Sequence, residues 1–122
     1  MTVTIETVRR IAGALPGAAD APKPEQLVFR ANGALFAWSA LQRVDPKKPR
    51  IPRLDVLAIR CPIERKELLL EAAPDIYFDD DHYRGYPALL VRLEAIGEEE
   101  LSALLADACA MQAAKKPRRK KV

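Results

Sequence analysis

The sequence predicts a two-layer α+β domain with the element order α-β-β-β-α-β-β-α and a mainly antiparallel five-stranded sheet. Three observations predict it. Thr4 to Leu15 and the stretch after Gly97 carry apolar residues at helical spacing. An Asn32-Gly33 pair separates two short apolar runs, a strong local hairpin signal. Tyr86 to Leu93 is apolar on nearly both parities and follows a glycine-containing turn, as a central strand does. Hairpins and short connections favour antiparallel pairing, and helices with one apolar face each supply the second layer.

The elements follow in order. In the first helix Ile5, Val8, Ile11, Ala12 and Leu15 form one stripe. Thr4 can cap it, Glu6 suits its first turn, Arg9 and Arg10 lie off the stripe, and Pro16-Gly17 end it. Ala18 to Glu25, with Pro22 and Pro24, reads as a loop. A two-residue turn at Asn32-Gly33 sets Phe29 opposite Phe36 and Leu27 opposite Trp38, with all four on the core face. Val28, Arg30, Leu35 and Ala37 then take the other face.

Gln42 to Arg53 interrupts the sheet, because three prolines deny it regular structure. This loop carries Arg43, Lys47, Lys48, Arg50 and Arg53 against a single acid, Asp45. It is either a solubilising loop or a wing that contacts phosphate. Leu54 to Cys61 is a third strand, with Leu57, Ile59 and Cys61 on one parity. Pro62 opens a helix that runs to about Ala72 and buries Leu68, Leu69 or both. Asp75 to Phe78 is a short strand, and Asp79 to Asp81 an acidic turn. The last helix has acids at its positive end and a stripe of Leu101, Leu104, Leu105 and Ala108.

Composition sets bounds on function. A chain of 122 residues, 49% hydrophobic and 30% charged, makes one soluble globular domain. Residues 1–114 form it, and residues 115–122 are expected to be a disordered basic tail. The apolar runs are too short to span a membrane, and MTVTIETVRR does not read as a secretory signal. Both point to a cytoplasmic protein. The net charge of +3 is uneven, since six basic residues crowd the last eight positions. Without them 14 basic residues face 17 acidic ones, so the folded body is mildly acidic. Cys61 and Cys109 are far apart at apolar positions and read as buried thiols.

No motif carries catalysis, and no cofactor or metal is expected. The chain has neither a phosphate-cradling glycine loop nor a nucleophile motif. His82, beside Asp81 and Tyr83, has the chemistry of a general base, but a lone histidine in a polar turn is more often a surface hydrogen-bonding group. The aspartates at 79–81 lack the spacing of a calcium loop. Arg30, Arg60, Tyr86 and Arg92 share the face opposite the core. That face has three readings: a nucleic-acid or anion surface, a partly wetted sheet covered by arginine stems, or an interface with a partner or a second copy.

Four stretches carry a family resemblance: Ala14-Leu15-Pro16-Gly17, Leu35-Phe36-Ala37, a leucine-rich helix before Ala73-Pro74-Asp75, and Asp81-His82-Tyr83-Arg84-Gly85-Tyr86-Pro87 leading into Leu90-Val91-Arg92-Leu93. Together they cover roughly residues 1–114, and the chain resembles the MmcQ/YjbR family of small bacterial proteins. The resemblance implies a fold like that of the type III secretion chaperones, double-stranded DNA as partner, a double-wing arrangement and no enzymatic activity. It implies wings formed by hairpins of the sheet, a role that the loop with Arg43, Lys47, Lys48, Arg50 and Arg53 suits by charge. By their charge, Arg30, Arg60 and Arg92 on the sheet and Lys115, Arg118 and Arg119 in the tail are further candidate nucleic-acid contacts. The turn holding His82, Tyr83, Arg84 and Tyr86 is a further candidate site. The chain departs from the family in its longer, proline-rich basic loop, and the acidic turn at 79–81 repels phosphate. The alternative function is a protein-interaction or small-ligand module, homodimeric or otherwise, that uses the open sheet face.

Overall fold

A computed structural model describes residues 3–15, 18–20, 27–31, 33–42, 47, 51–79 and 83–113. The elements are α1 (Ile5–Gly13), β1 (Ala18–Asp20), β2 (Val28–Ala31), β3 (Ala34–Gln42), β4 (Ile51–Arg60), α2 (Ile63–Ala72), β5 (Tyr77–Phe78), β6 (Ala88–Arg92) and α3 (Glu98–Ala113). The sheet is antiparallel throughout, in the order β1-β2-β3-β4-β6-β5. The expected two-layer α+β fold is present. The sheet has one strand more than expected, because Ala18–Asp20 pairs with Phe29–Ala31 as an edge strand rather than forming a loop.

α1 begins with a reciprocal cap between Thr4 and Thr7, and its stripe of Val8, Ile11 and Ala12 is buried. Arg10 reaches Glu98 at the start of α3, so an exposed ion pair links the two helices. α3 buries Leu101, Leu104, Leu105 and Ala108 as its pattern predicts, and Cys109 and Gln112 as well. Its C-terminal end is held to the hairpin by Gln112 Nε2, which donates to the Leu35 carbonyl at 2.6 Å. α1 and α3 pack on Phe29, Phe36, Leu57, Ile59, Leu89 and Val91 to form the main core. Both cysteines are free and buried, and burial pushes both thiols up in pKa.

The hairpin departs from its expected register. Arg30 pairs with Leu35, but Phe29 pairs with Ala37, so Phe36 has no partner across the ladder and is the extra residue of a β-bulge. Gly33, at φ +82°, supplies the positive dihedral of the turn at no steric cost. Beyond the bulge every side chain changes face. Ala37 joins the core, while Trp38 moves to the opposite face and lies across from Val28. Just before β2 begins, Ser39 Oγ accepts from Leu27 N at 2.8 Å.

Three further expectations change. β4 begins at Ile51, so the interruption is shorter than Gln42 to Arg53. Pro52 is an ordinary strand member opposite Leu41, tolerated because β6 pairs only with Val56–Arg60 and leaves this part of β4 with one neighbour. Tyr86 to Leu93 contracts to Ala88–Arg92, and it lies next to the edge strand rather than at the centre. Its two-sided apolar pattern is nonetheless used, since Ala88, Leu89, Leu90 and Val91 are all buried. In α2 Leu68 is exposed, Leu69 and Leu70 are half-buried against the core, and the buried member is Lys66.

Leu105 is fully buried and Leu68 is 67% exposed. Leu105→Ala is expected to lower unfolding stability by about 2–5 kcal/mol in urea titrations. Leu68→Ala is expected to stay within about 0.5 kcal/mol of the parent.

Candidate functional site

The sheet face away from α1 and α3 is not bare. Ala40, Val56, Ala58, Tyr83, Ala88 and Leu90 form a second buried cluster, with Trp38 and Phe78 packed on its rim. Tyr83 and Tyr86 come from the turn before β6. Gly85 in that turn has φ +75°, which a side chain would strain. The Tyr86 N–H donates to the Tyr83 carbonyl at 2.9 Å.

Lys66 holds this turn against α2. It is 3% exposed, and its Nζ donates to the Tyr83 carbonyl at 2.7 Å and the Tyr86 carbonyl at 2.9 Å. Asp79 Oδ1 lies 3.2 Å from the same nitrogen. Three acceptors thus meet the three donors of a buried ammonium, the condition for keeping such a charge inside. The residue's position gave a hint: it stands three and four residues before Leu69 and Leu70, the half-buried members of the helix. Its charge concealed that.

Above the turn the aromatic residues and one arginine converge. Trp38 Nε1 donates to Tyr83 Oη at 3.0 Å. The Tyr83 and Tyr86 rings meet edge-on at 6.1 Å, and Trp38 meets Tyr86 edge-on at 6.5 Å. The Arg60 guanidinium lies 4.7 Å from the centre of the Tyr86 ring and 5.7 Å from that of Trp38. Arg60 Nε is enclosed and has no hydrogen-bond partner among the described residues. Where the end of β4 meets α2 and α3 there is a pocket of about 240 Å3, lined by Arg60, Cys61, Pro62, Leu104 and Met111 together with an Arg65–Asp107 ion pair at 2.7 Å.

The expected site residues do not gather at one point. Arg30 is exposed on β2, two strands from Arg60. Arg60 faces Ala88 and Arg92 faces Val56, four ladder steps apart, or roughly 13 Å. Arg92 stacks on Phe78 at 4.3 Å and donates to the Pro74 carbonyl at 3.1 Å, so it ties the α2–β5 connection to the sheet. Tyr83 is buried, Arg84 exposed and Tyr86 39% exposed. Lys47 is exposed, and Arg53 falls within β4. Arg43, Lys48, Arg50, His82, Lys115, Arg118 and Arg119 lie outside the described residues, as do Asp80 and Asp81. Among the described residues no group of three metal-binding side chains comes together, and no helix is long and apolar enough to cross a membrane.

Comparison with known proteins follows from this geometry. No family model matches the chain. Uncharacterized protein Rv2570 of Mycobacterium tuberculosis and uncharacterized protein Mb2600 of Mycobacterium bovis are each 33% identical to it over 119 residues, covering 92% of this chain and 90% of the relative. The chain belongs to the family of these mycobacterial proteins. Among solved structures, Deinococcus radiodurans protein DR2400, a DUF419 domain, superposes with a TM-score of 0.69 at 22% identity, over 93% of this chain and 81% of that one. A Pseudomonas syringae protein superposes with a TM-score of 0.62 at 16% identity, over 88% and 97% of the two chains. At these identities the two structures show a shared fold, which for DUF419 is the MmcQ/YjbR-like fold.

Two predictions follow from the buried polar groups. Lys66→Met removes the buried ammonium that two carbonyls and Asp79 share, and is expected to cost about 3–5 kcal/mol in urea unfolding. It should also shift the emission of Trp38, the one tryptophan of the chain, as the Tyr83 turn loosens. Tyr77, 1% exposed, donates its hydroxyl to Glu100, and burial followed by that hydrogen bond pushes its phenol pKa up. A raised folded-state pKa keeps its full contribution below the unfolded value of about 10, and the contribution falls as pH rises beyond it. Above pH ~10 the parent is expected to lose stability relative to Tyr77→Phe, with a slope approaching about 1.4 kcal/mol per pH unit.

Proposed function

We propose that this protein is a non-catalytic DNA-binding member of the MmcQ/YjbR family, gripping duplex phosphates through one basic wing. The observation that carries the reading is the length of the β3–β4 hairpin. Its strands pair as far as Gln42 with Ile51, whereas β2 stops opposite Trp38 and β6 stops opposite Val56. The hairpin therefore runs past its neighbours, and its connection carries Arg43, Lys47, Lys48 and Arg50, with Arg53 just inside β4. Lys47 is exposed. The four stretches that resemble the family and the DUF419-like fold support the same reading.

The second wing of a double-wing arrangement has less support. The turn that would form it carries acids, and Asp79 already serves Lys66. In this proposal the tail residues Lys115, Arg118 and Arg119 add cationic contacts in its place. In this proposal recognition is by phosphate rather than base edges, since each helix among the described residues packs against the core.

Fluorescence anisotropy with a labelled duplex tests the proposal. With three to five wing contacts, log K should fall against log salt with a slope of roughly −3 to −4.5. Lys47→Glu combined with Lys48→Glu should weaken binding and flatten the slope by about 2. A chain ending at Ala114 should still bind. Binding that needs the tail alone, or that ignores salt, would defeat the wing reading.

A further inference from the structure

We infer that the seam between α2 and α3 is a docking surface for a basic segment of a partner protein, one whose apolar anchor residue is flanked by lysines or arginines. The inference does not rest on the wing. Three observations meet at this seam. The first is Leu68, 67% exposed on α2. A lone exposed leucine is ordinary, but this one has a particular neighbourhood. It stands three residues after Arg65, which lines the pocket of about 240 Å3, and so lies one turn on along the same side of the helix. The second observation is that pocket. Its walls include Cys61, Leu104, Ala108 and Met111, and the Arg65–Asp107 ion pair borders it. Arg65, Asp107 and the neighbouring Pro62 are exposed, so the pocket opens to solvent. A cavity of about 150 Å3 admits a benzene ring, so this one has room for a leucine or phenylalanine side chain.

The third observation is charge, and it selects the occupant. α3 contains no basic residue, and both basic residues of α2 are committed, Lys66 inside the fold and Arg65 to Asp107. Glu64, Glu67 and Glu71 are exposed, and none meets a cation among the described residues. Glu64 stands four residues before Leu68 and Glu71 three after it, so they flank the leucine on one face. Glu71 lies in the last turn of α2, which has no basic residue, and adds to the negative end of the helix dipole instead of offsetting it. A second copy docked about a two-fold axis would set these glutamates against themselves, and a duplex is repelled by them. A small apolar molecule would fill the pocket and leave Leu68 and the glutamates uncovered, which extend along about 10 Å of helix. A basic chain segment covers all three features. Its anchor enters the pocket, the stem of a flanking lysine or arginine lies along Leu68, and its cations meet Glu64 and Glu71.

The test is fluorescence anisotropy of the full chain with three labelled peptides: Lys-Arg-Lys-Leu-Lys-Arg-Lys, the same peptide with glycine in place of leucine, and the same peptide with glutamate at every basic position. The expected result is saturable binding of the leucine peptide, at least tenfold weaker binding of the glycine peptide, and none of the glutamate peptide. Leu68→Gln, Glu64→Lys and Glu71→Lys should each weaken binding of the leucine peptide at least threefold. Glu6→Lys makes the same change of charge on the exposed side of α1 and should leave the affinity unchanged. All four positions are exposed, and thermal melts separate lost binding from lost folding. Equal affinity for the leucine and glycine peptides would overturn the inference, as would unaltered affinity in Leu68→Gln or an equal loss in Glu6→Lys. A dimer in sedimentation that Leu68→Gln dissolves would overturn it by placing a second copy on the seam. Peptide binding that tightens at least tenfold in Arg118→Glu combined with Arg119→Glu would overturn it by placing the chain's own tail there. Duplex binding by the parent chain is read separately, so the wing and the seam can each fail alone.

Discussion

Phe36 is one residue too many for the ladder between β2 and β3, and the character of both sheet faces follows from it. Before the bulge the chain keeps the register that the Asn32-Gly33 turn sets, with Ala31 opposite Ala34 and Arg30 opposite Leu35. After it Ala37 and Ser39 point to the helices, and Trp38 and Ala40 to the other side. Without the bulge Trp38 would compete with Phe36 for the space under α3. The far face would then lose the ring against which Tyr83, Tyr86 and Arg60 are assembled. A bulge beside a functional surface is a common way to re-aim one side chain.

The second constraint is electrostatic. Burying an ammonium costs several kcal/mol unless every donor is met. Lys66 meets that condition only when the chain at 83–86 folds back far enough to present two carbonyls. The lysine therefore specifies the turn as much as it stabilises it. The turn in turn places Tyr83 over the second cluster and Tyr86 at its rim. Bulge and lysine act from opposite sides: one delivers Trp38 from β3, the other delivers the tyrosines from the loop before β6. Arg60, at the end of β4 between them, inherits its aromatic surroundings from both.

Much of this was legible in the residues. The α1 and α3 stripes, the parity of Leu57, Ile59 and Cys61, and the sharing of one face by Arg30, Arg60 and Arg92 all follow from periodicity, which depends on local geometry alone. Three features were not. A bulge leaves no local signature, since the alternation around Phe36 reads equally well without it. Pro52 looked like a strand breaker because the single-sided pairing that tolerates it is a tertiary fact. Lys66 looked solvated because a charge is assigned to the surface until its acceptors are known, and those come from residues 13 to 20 positions away in the chain. The aromatic–arginine cluster depends on the bulge and on Lys66, so the sequence showed its members and not their meeting.

Charge is distributed over this fold in a way that bears on the proposed wing. The body is mildly acidic, and its basic residues are concentrated where the β3–β4 hairpin outruns the sheet and in the last eight positions. A duplex approaching such a body is repelled by most of its surface and attracted at those places, which orients the encounter before any contact forms. Screening limits that attraction to about 8 Å at physiological ionic strength. The field therefore sets the orientation only in the last approach, and phosphate contacts at the wing then hold the duplex.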